Sequence, residues 1–434
     1  ALLLLLSPLH LRFIDVLDTD RVLDYREGVM ATLAVVEDEN QHRHLKVNNH
    51  FTMGGTASRY SDHRQTHIPM LLHGEPRSVL YLGVGTGVTL DAARYHRRTQ
   101  AVGVELIPES LELTPYFGVD FDSHQWYKPP QMIAADARRY VMAAEQKFDV
   151  IIGEIFHPAR DGAGSLYTEE HFTAVKNRLA DDGSFCQWLP LFQLDLPALK
   201  TIVRTFVQVF PAARLHLAHY SLQQPILCLE GSLQERIYPQ DWLLNRVTDR
   251  ALQDQLVQLR LNSDFALLGG YLASGKELMH FAGTGPINKD DYPVVTFQAP
   301  MLAYNDGEPA IVRLATLINH FADSRATIVA AELAPRMEQY WRARDRFMLA
   351  AVAMEQATPE NWDKSLQEHL LEVVKISGDF EPAYYTLLMM AQETFSRDRR
   401  ASLQILDDLH AASPNHPEAM ALRDRLSGKT EMVR

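Results

Sequence analysis

The chain has 434 residues, 46% of them hydrophobic, enough for two or three domains with packed cores. Its 42 Lys and Arg stand against 55 Asp and Glu, a formal charge of −13 with no basic block, which excludes a nucleic-acid backbone as partner. Two cysteines, with no C-x-x-C or His/Cys cluster, offer no metal-binding signature. Cys186 and Cys228 lie in apolar runs and read as buried thiols of a reducing, cytoplasmic compartment.

The chain opens on Ala1 followed by five leucines. That run is far short of the about 20 apolar residues that cross a bilayer. It also lacks the basic flank of a signal peptide. Two readings of residues 1–26 stay open: an apolar segment docked on the core, or the end of a membrane helix cut from a longer protein, with a membrane tether upstream of residue 1.

Residues 27–60 predict a small antiparallel meander. Residues 32–36 and 44–47 are strand-like around an acidic turn, and residues 50–53 follow Asn48-Asn49 until Gly54-Gly55 breaks the pattern. Residues 64–73 predict a helix leading into the first core strand.

The stretch 78–105 organises the rest. Ser78-Val79-Leu80-Tyr81-Leu82 reads as a strand, Gly83-Val84-Gly85-Thr86-Gly87 as a tight turn, and residues 88–95 as a helix. Residues 101–104 form a second strand ending at Glu105. Glycine lets backbone approach a ligand, and an acid about 20 residues on can hold a ribose diol at the strand ends. Glu105 lies 18 residues after Gly87 and 22 after Gly83. Val88 stands where a dinucleotide fingerprint has its third glycine, so the spacing favours a nucleoside site of the S-adenosylmethionine-transferase kind.

Further strands are predicted at 131–134, ending at Asp136, at 148–153, ending at Glu154, and at 184–188. Helices are predicted at 137–145, at 168–179 with Asp182-Gly183 as the stop, and at 196–210, and a closing hairpin at 214–220 and 226–230. This alternation predicts a mostly parallel sheet covered on both faces. Residues 233–305 are mixed. Residues 306–434 are helical, and Pro382 and Pro417 are 35 residues apart, near the tetratricopeptide period; a plain helical bundle is the competing reading.

Three acids, Glu105, Asp136 and Glu154, close successive strands, and strand ends on that edge converge on one crevice. Glu105 is suited to the ribose hydroxyls, Asp136 to an adenine amine beside the Ala137 backbone, and Glu154 to the reacting end. The long loop 153–167 carries His157, whose ordinary pKa suits a general base, and the aromatics Phe156 and Tyr167. The bland alternatives are that the acids cap helices or turns and that His157 bonds a carbonyl.

Residues 27–230 resemble the spermidine synthase, or polyamine aminopropyltransferase, family. The resemblance rests on the meander, the glycine loop, Glu105, Asp136, the acid loop closing on Ser165-Leu166-Tyr167, and Gln187-Trp188. Glu27-Gly28, Met53-Gly54-Gly55-Thr56 and Asn288-Lys289-Asp290-Asp291-Tyr292-Pro293 resemble the membrane-fused bacterial branch. The resemblance implies a Rossmann-like S-adenosylmethionine-transferase fold, with a seven-stranded, mostly parallel sheet over residues 61–232 and a C-terminal α-helical domain. It implies transfer of an aminopropyl group from decarboxylated S-adenosylmethionine to a polyamine amine, with no metal. It also implies a homodimer located in the cytoplasm or forming the cytoplasmic domain of a membrane protein. Under it Gly83, Gly85, Thr86, Gly87, Glu105, Asp136 and Ala137 hold the nucleoside, and Asp62, Glu154, Phe156, Tyr167 and Gln187 hold substrate. Glu154 and His157 do the chemistry.

Departures bear on the donor. Thr86 replaces the family's loop Asp, His157 its base Asp, and Ser61 and Asp62 stand near its Tyr-Gln pair. With Thr86, intact S-adenosylmethionine as donor, for methyl or aminocarboxypropyl transfer, is one alternative. A nucleoside-binding scaffold acting on a protein partner through its helical tail is another.

Overall fold

In the computed structural model the described residues are 14–49, 51–123, 125–126, 128–160, 162–301, 307–323, 325–354 and 362–427. The leucine run 1–6 lies outside them. The chain divides into two compact units, residues 1–154 with 173–187, and residues 155–172 with 188–434.

The first unit begins with a four-stranded antiparallel sheet in the order β1 (Arg21–Glu27), β2 (Thr32–Glu37), β3 (Arg43–Val47) and β4 (Phe51–Gly55). Two corrections follow. β1 was not expected, because its sequence RVLDYRE alternates charge rather than hydrophobicity. β4 runs on through Gly54 and Gly55, where a break was expected; a Cβ on Gly55 would lie 2.3 Å from the Arg43 carbonyl oxygen, so glycine lets these strands pack. Leu33, Val35, Leu45 and Val47 bury one face of this sheet against Ile107, Leu113 and Phe117.

Helix α1 spans Arg59–His73, five residues longer at its start than expected. The parallel strands β5 (Ser78–Leu82), β6 (Gln100–Glu105), β7 (Gln131–Ala134), β8 (Phe148–Gly153) and β9 (Leu179–Pro190) follow. They lie in the order β9-β8-β5-β6-β7. After the glycine loop the expected helix is a four-residue α2 (Val88–Asp91) continued as a 3-10 turn (Ala92–Tyr95). Helix α3 is Ala137–Ala143. β9 starts at Leu179, so Asp181-Asp182-Gly183 lies inside a strand and is not a helix stop. The preceding helix α4 is only Glu169–Lys176.

In the second unit β10 (Arg214–Leu217) pairs antiparallel with β11 (Ile226–Ser232) and with β12 (Tyr271–Ser274). Together with the five parallel strands these make eight against the expected seven, because β12 lies in a stretch that reads as mixed. The amphipathic α5 (Leu196–Val209) buries Leu199, Ile202, Val203 and Phe206. From Ala334 on, the tail has helices α6 (Ala334–Met354), α7 (Trp362–Ile376), α8 (Glu381–Thr394), α9 (Arg399–Ala412) and α10 (Glu418–Ser427), each packed on its neighbour in sequence. Among the described residues no helix is long and apolar enough to cross a membrane.

Both cysteines are buried, on β9 and β11, and both are disulfide-bonded. The free buried thiols expected from sequence are therefore corrected.

Candidate active site

Strand register builds the site in the first unit. Leu82 pairs with Val104 and Gly153, Val104 pairs with Ile133, and Gly153 pairs with Gln187. These five residues form one row across five parallel strands. The residues just beyond it are Gly83, Glu105, Glu154 and, two past Ala134, Asp136. The sequence-predicted acids thus end on one edge of the sheet, together with Gln187.

Gly83, Gly85 and Gly87 have φ of 92°, 56° and 81°, the left-handed region that side chains avoid. A Cβ on Gly85 would lie 3.2 Å from Met53 Sδ, and one on Gly87 would press on Phe121, Thr114 and Val119 at 3.0–3.1 Å. The loop therefore depends on glycine for both conformation and space.

Glu105, 4% exposed, clamps this loop. Its Oε2 accepts from the Val84 and Gly85 amides, each at 2.9 Å, and its Oε1 accepts from the Ile107 amide at 2.8 Å. One carboxylate thus satisfies three backbone donors, and of its four lone-pair sites one, on Oε1, is left for a further hydroxyl. Asp136 is exposed and caps α3, its Oδ1 accepting from the Arg139 amide at 3.1 Å with Ala137 the first helical residue. The capping alternative weighed from sequence is therefore realised at Asp136.

Glu154 is half-buried. Its Oε2 accepts from the Thr89 hydroxyl at 3.3 Å, and its carbonyl accepts from the Gln187 amide at 3.1 Å. Thr66 of α1 donates to the Thr89 carbonyl at 2.5 Å, so α1, the glycine-loop helix and the β8 end are tied together. Thr89 was missed from sequence; its signal was a hydroxyl in the first turn after the glycine loop. Asp62 on α1 meets the Ser58 hydroxyl at 2.7 Å, and Thr86 lies beside Gly54.

The second unit carries Phe156, His157 and Tyr167. Tyr167, fully buried, donates to the Phe156 carbonyl at 2.7 Å, and the two rings meet edge to face at 6.4 Å. Tyr167 here braces a loop, and burial pushes its phenol well above the ordinary value. His157 is half-buried, and burial, with help from the Arg160 charge, lowers its imidazole below the ordinary value. It is therefore neutral at pH 7 and able to accept a proton.

Asn288, 0% exposed, organises the loop that ends at Tyr167. It donates from Nδ2 to the Gly164 carbonyl at 3.2 Å, accepts the Val295 amide on Oδ1 at 3.0 Å, and takes the Glu169 amide on its own carbonyl at 2.9 Å. Lys289 adds an ion pair with Glu169 at 3.1 Å. This motif acts on the loop backbone from more than 120 residues away.

Residues 61–220 match the model of the Spermine/spermidine synthase domain. The chain is 30% identical over 156 residues to the polyamine aminopropyltransferase of Thermotoga maritima, a match covering 35% of this chain and 51% of that protein. It is 33% identical over 138 residues to the polyamine aminopropyltransferase of Methanocaldococcus jannaschii, covering 30% and 45%. The chain spans about half the length of the curated relatives it matches. The solved spermidine synthase of Thermotoga maritima aligns at 20% identity with a TM-score of 0.44, over 69% of this chain and 87% of that one, a likeness that carries no argument about the site. The glycine loop, Glu105, Glu154 and Gln187 all lie in the segment, residues 61–220, that is similar to the Spermine/spermidine synthase domain.

Proposed function

We propose that the chain is a polyamine aminopropyltransferase using decarboxylated S-adenosylmethionine. The observation that carries this is the single row of strand ends that sets the Glu105-clamped glycine loop beside Glu154 and Gln187. The loop and Glu105 receive the ribose, Asp136 and the Ala137 backbone the adenine, and Glu154 the acceptor amine. Gln187 holds the Glu154 backbone at the acceptor end, and Tyr167 braces the loop that carries Phe156. No metal takes part.

In the reaction the neutral amine nitrogen attacks the aminopropyl carbon bonded to the sulfonium. The new C–N bond forms as the C–S bond breaks, and sulfur leaves with the electron pair as neutral methylthioadenosine. The nitrogen, now carrying an extra proton, passes it to His157, three residues along the chain from Glu154. The local acids and the charge of −13 favour a cationic acceptor.

Thr86 favours a second reading, with intact S-adenosylmethionine as donor, because no charge on the glycine loop repels a carboxylate. A third is a nucleoside-binding scaffold acting through the helical tail. That tail, residues 306–434, is proposed as a tetratricopeptide-like domain for a protein partner, following the mixed extension 233–305 and the transferase domain 61–232. A homodimer, a membrane tether ahead of residue 1 and a cytoplasmic site of action belong to the same proposal. The disulfide argues against a reducing compartment, and fractionation of the native host decides this last point.

Calorimetric titration with decarboxylated S-adenosylmethionine, S-adenosylmethionine and methylthioadenosine, followed by assay with putrescine and spermidine, tests the proposal. Preference for the intact donor overturns aminopropyl transfer. Absence of nucleoside binding overturns both enzyme readings.

A further inference from the structure

Two buried carboxylates near the glycine loop have guanidinium or backbone-amide partners. Asp91 sits 2.5 Å from the Arg94 guanidinium and 3.9 Å from that of Arg59, and Glu105 holds three amides. Asp62 differs. Its carboxyl meets the neutral Ser58 hydroxyl at 2.7 Å and the neutral Gln65 amide at 3.4 Å. Among the described residues Arg59, on the same helix, is the charged group acting on it, and more weakly than burial does.

The Ser58 hydroxyl also lies 2.9 Å from the Gly55 carbonyl. A hydroxyl has one proton to donate. If that proton goes to Gly55, the proton between Ser58 and Asp62 belongs to Asp62, and the carboxyl is neutral. Burial agrees, pushing the Asp62 carboxyl up to about 7. An acid in this state ionises when a cation arrives.

Gly54 brings Ser58 and Thr86 to one place. A Cβ built there would lie 3.6 Å from Thr86 Oγ1 and 4.0 Å from Ser58 Oγ. Asp62 is therefore one hydrogen bond removed from the space over Thr86. Gly54, Thr86 and Ser58, which meet there, are uncharged.

We propose, resting on the aminopropyl reading above, that Asp62 is the donor-selecting residue, binding the terminal ammonium of decarboxylated S-adenosylmethionine and disfavouring the carboxylate of the intact donor. Because Asp62 starts neutral, binding the ammonium releases a proton, and the Ser58 hydroxyl turns from the Gly55 carbonyl to the carboxylate.

Calorimetry in buffers of different ionisation enthalpy at pH 6.5 tests this on the full chain. Wild type is expected to release a proton with decarboxylated S-adenosylmethionine and none with methylthioadenosine, which lacks the ammonium. Asp62→Asn is expected to lose about tenfold in affinity for the decarboxylated donor, the effect of one charge-assisted hydrogen bond, to keep its methylthioadenosine affinity, and to release no proton. Thr86→Asp added to Asp62→Asn is expected to restore donor affinity. Unchanged donor affinity in Asp62→Asn overturns the proposal, as does an equal loss for both ligands. Wild type that binds methylthioadenosine but not the decarboxylated donor overturns the underlying reading instead.

Discussion

Gly153 and Gln187 are cross-strand partners, and a Cβ on Gly153 would lie 2.6 Å from Gln187 Oε1. Gln187 in turn holds the Glu154 carbonyl through its Nε2. The absence of a side chain at Gly153 thus lets Gln187 fold over the end of β8. Gly153→Ala should displace Gln187 and cost about 1–3 kcal/mol. Gln187→Ala should cost about 1–2 kcal/mol for the lost hydrogen bond. The double variant should cost clearly less than the sum, because the clash disappears with the glutamine. Thermal unfolding of the four proteins checks this, and additive losses would show that the two side chains do not compete for one space.

Glu105 satisfies three backbone donors with two oxygens. Glu105→Gln keeps the shape but turns one oxygen into an N–H₂ donor, which must face a backbone N–H. The expected cost is about 1–3 kcal/mol of stability, with weaker methylthioadenosine binding because the loop loosens. Urea unfolding and calorimetry measure the two. A variant with wild-type stability and weakened binding would mean that Glu105 serves the ligand alone.

The glycine loop and the strands beside it were legible because their signals are local: apolar runs of four to six residues, glycines at alternate positions, an acid at the strand end. What was not legible depends on partners far along the chain. Thr89 meets Glu154 across 65 residues, and Asn288 holds Gly164 across 124. β1 was missed because its charged residues serve the sheet edge, as in the Arg21–Glu37 ion pair at 2.7 Å. Asp182-Gly183 looks like a helix stop because turn residues carry the same local preference inside an irregular strand start. The surroundings of Asp62 were not legible, since spacing does not reveal that the Ser58 hydroxyl meets both the Gly55 carbonyl and the Asp62 carboxyl.

Both cysteines are disulfide-bonded. Protein denatured without reductant should therefore show no thiol reactive toward Ellman's reagent, and two after reduction. Reduction should lower unfolding stability by about 2–4 kcal/mol, as the closed loop is long. Two reactive thiols in freshly purified protein denatured without reductant would restore the buried-thiol reading.

Asp62 also predicts a pH dependence of stability. Its carboxyl rises from an ordinary 3.8 to about 7 in the folded chain. The folded protein then binds more protons than the unfolded chain between those values, so this group's contribution is full below about pH 4 and is lost as pH rises through 7. Asp62→Asn removes the titration. Relative to wild type the variant should gain stability from pH 4 to pH 8, by about 1–3 kcal/mol after allowance for partial exposure. Chemical denaturation at pH 4, 6 and 8 checks the sign, and a gap that shrinks as pH rises would assign Asp62 an ionised resting state.

His157 predicts the acid limb of the activity profile. Burial and Arg160 lower its imidazole below 6.5, so the neutral form that accepts a proton persists into mildly acidic solution. The logarithm of kcat/KM should therefore fall on the acid side only below about pH 6.5, once the acceptor amine's own ionisation is allowed for. His157→Ala should lose about 10²–10⁴ in kcat and the limb with it, while methylthioadenosine affinity stays near wild type. His157→Asp supplies another proton acceptor at the same position, and should recover part of the rate with the limb moved to lower pH. An acid limb that stays in place in His157→Ala would assign it to another group, and the proton acceptor would then have to be sought among the carboxylates, with Glu154 first.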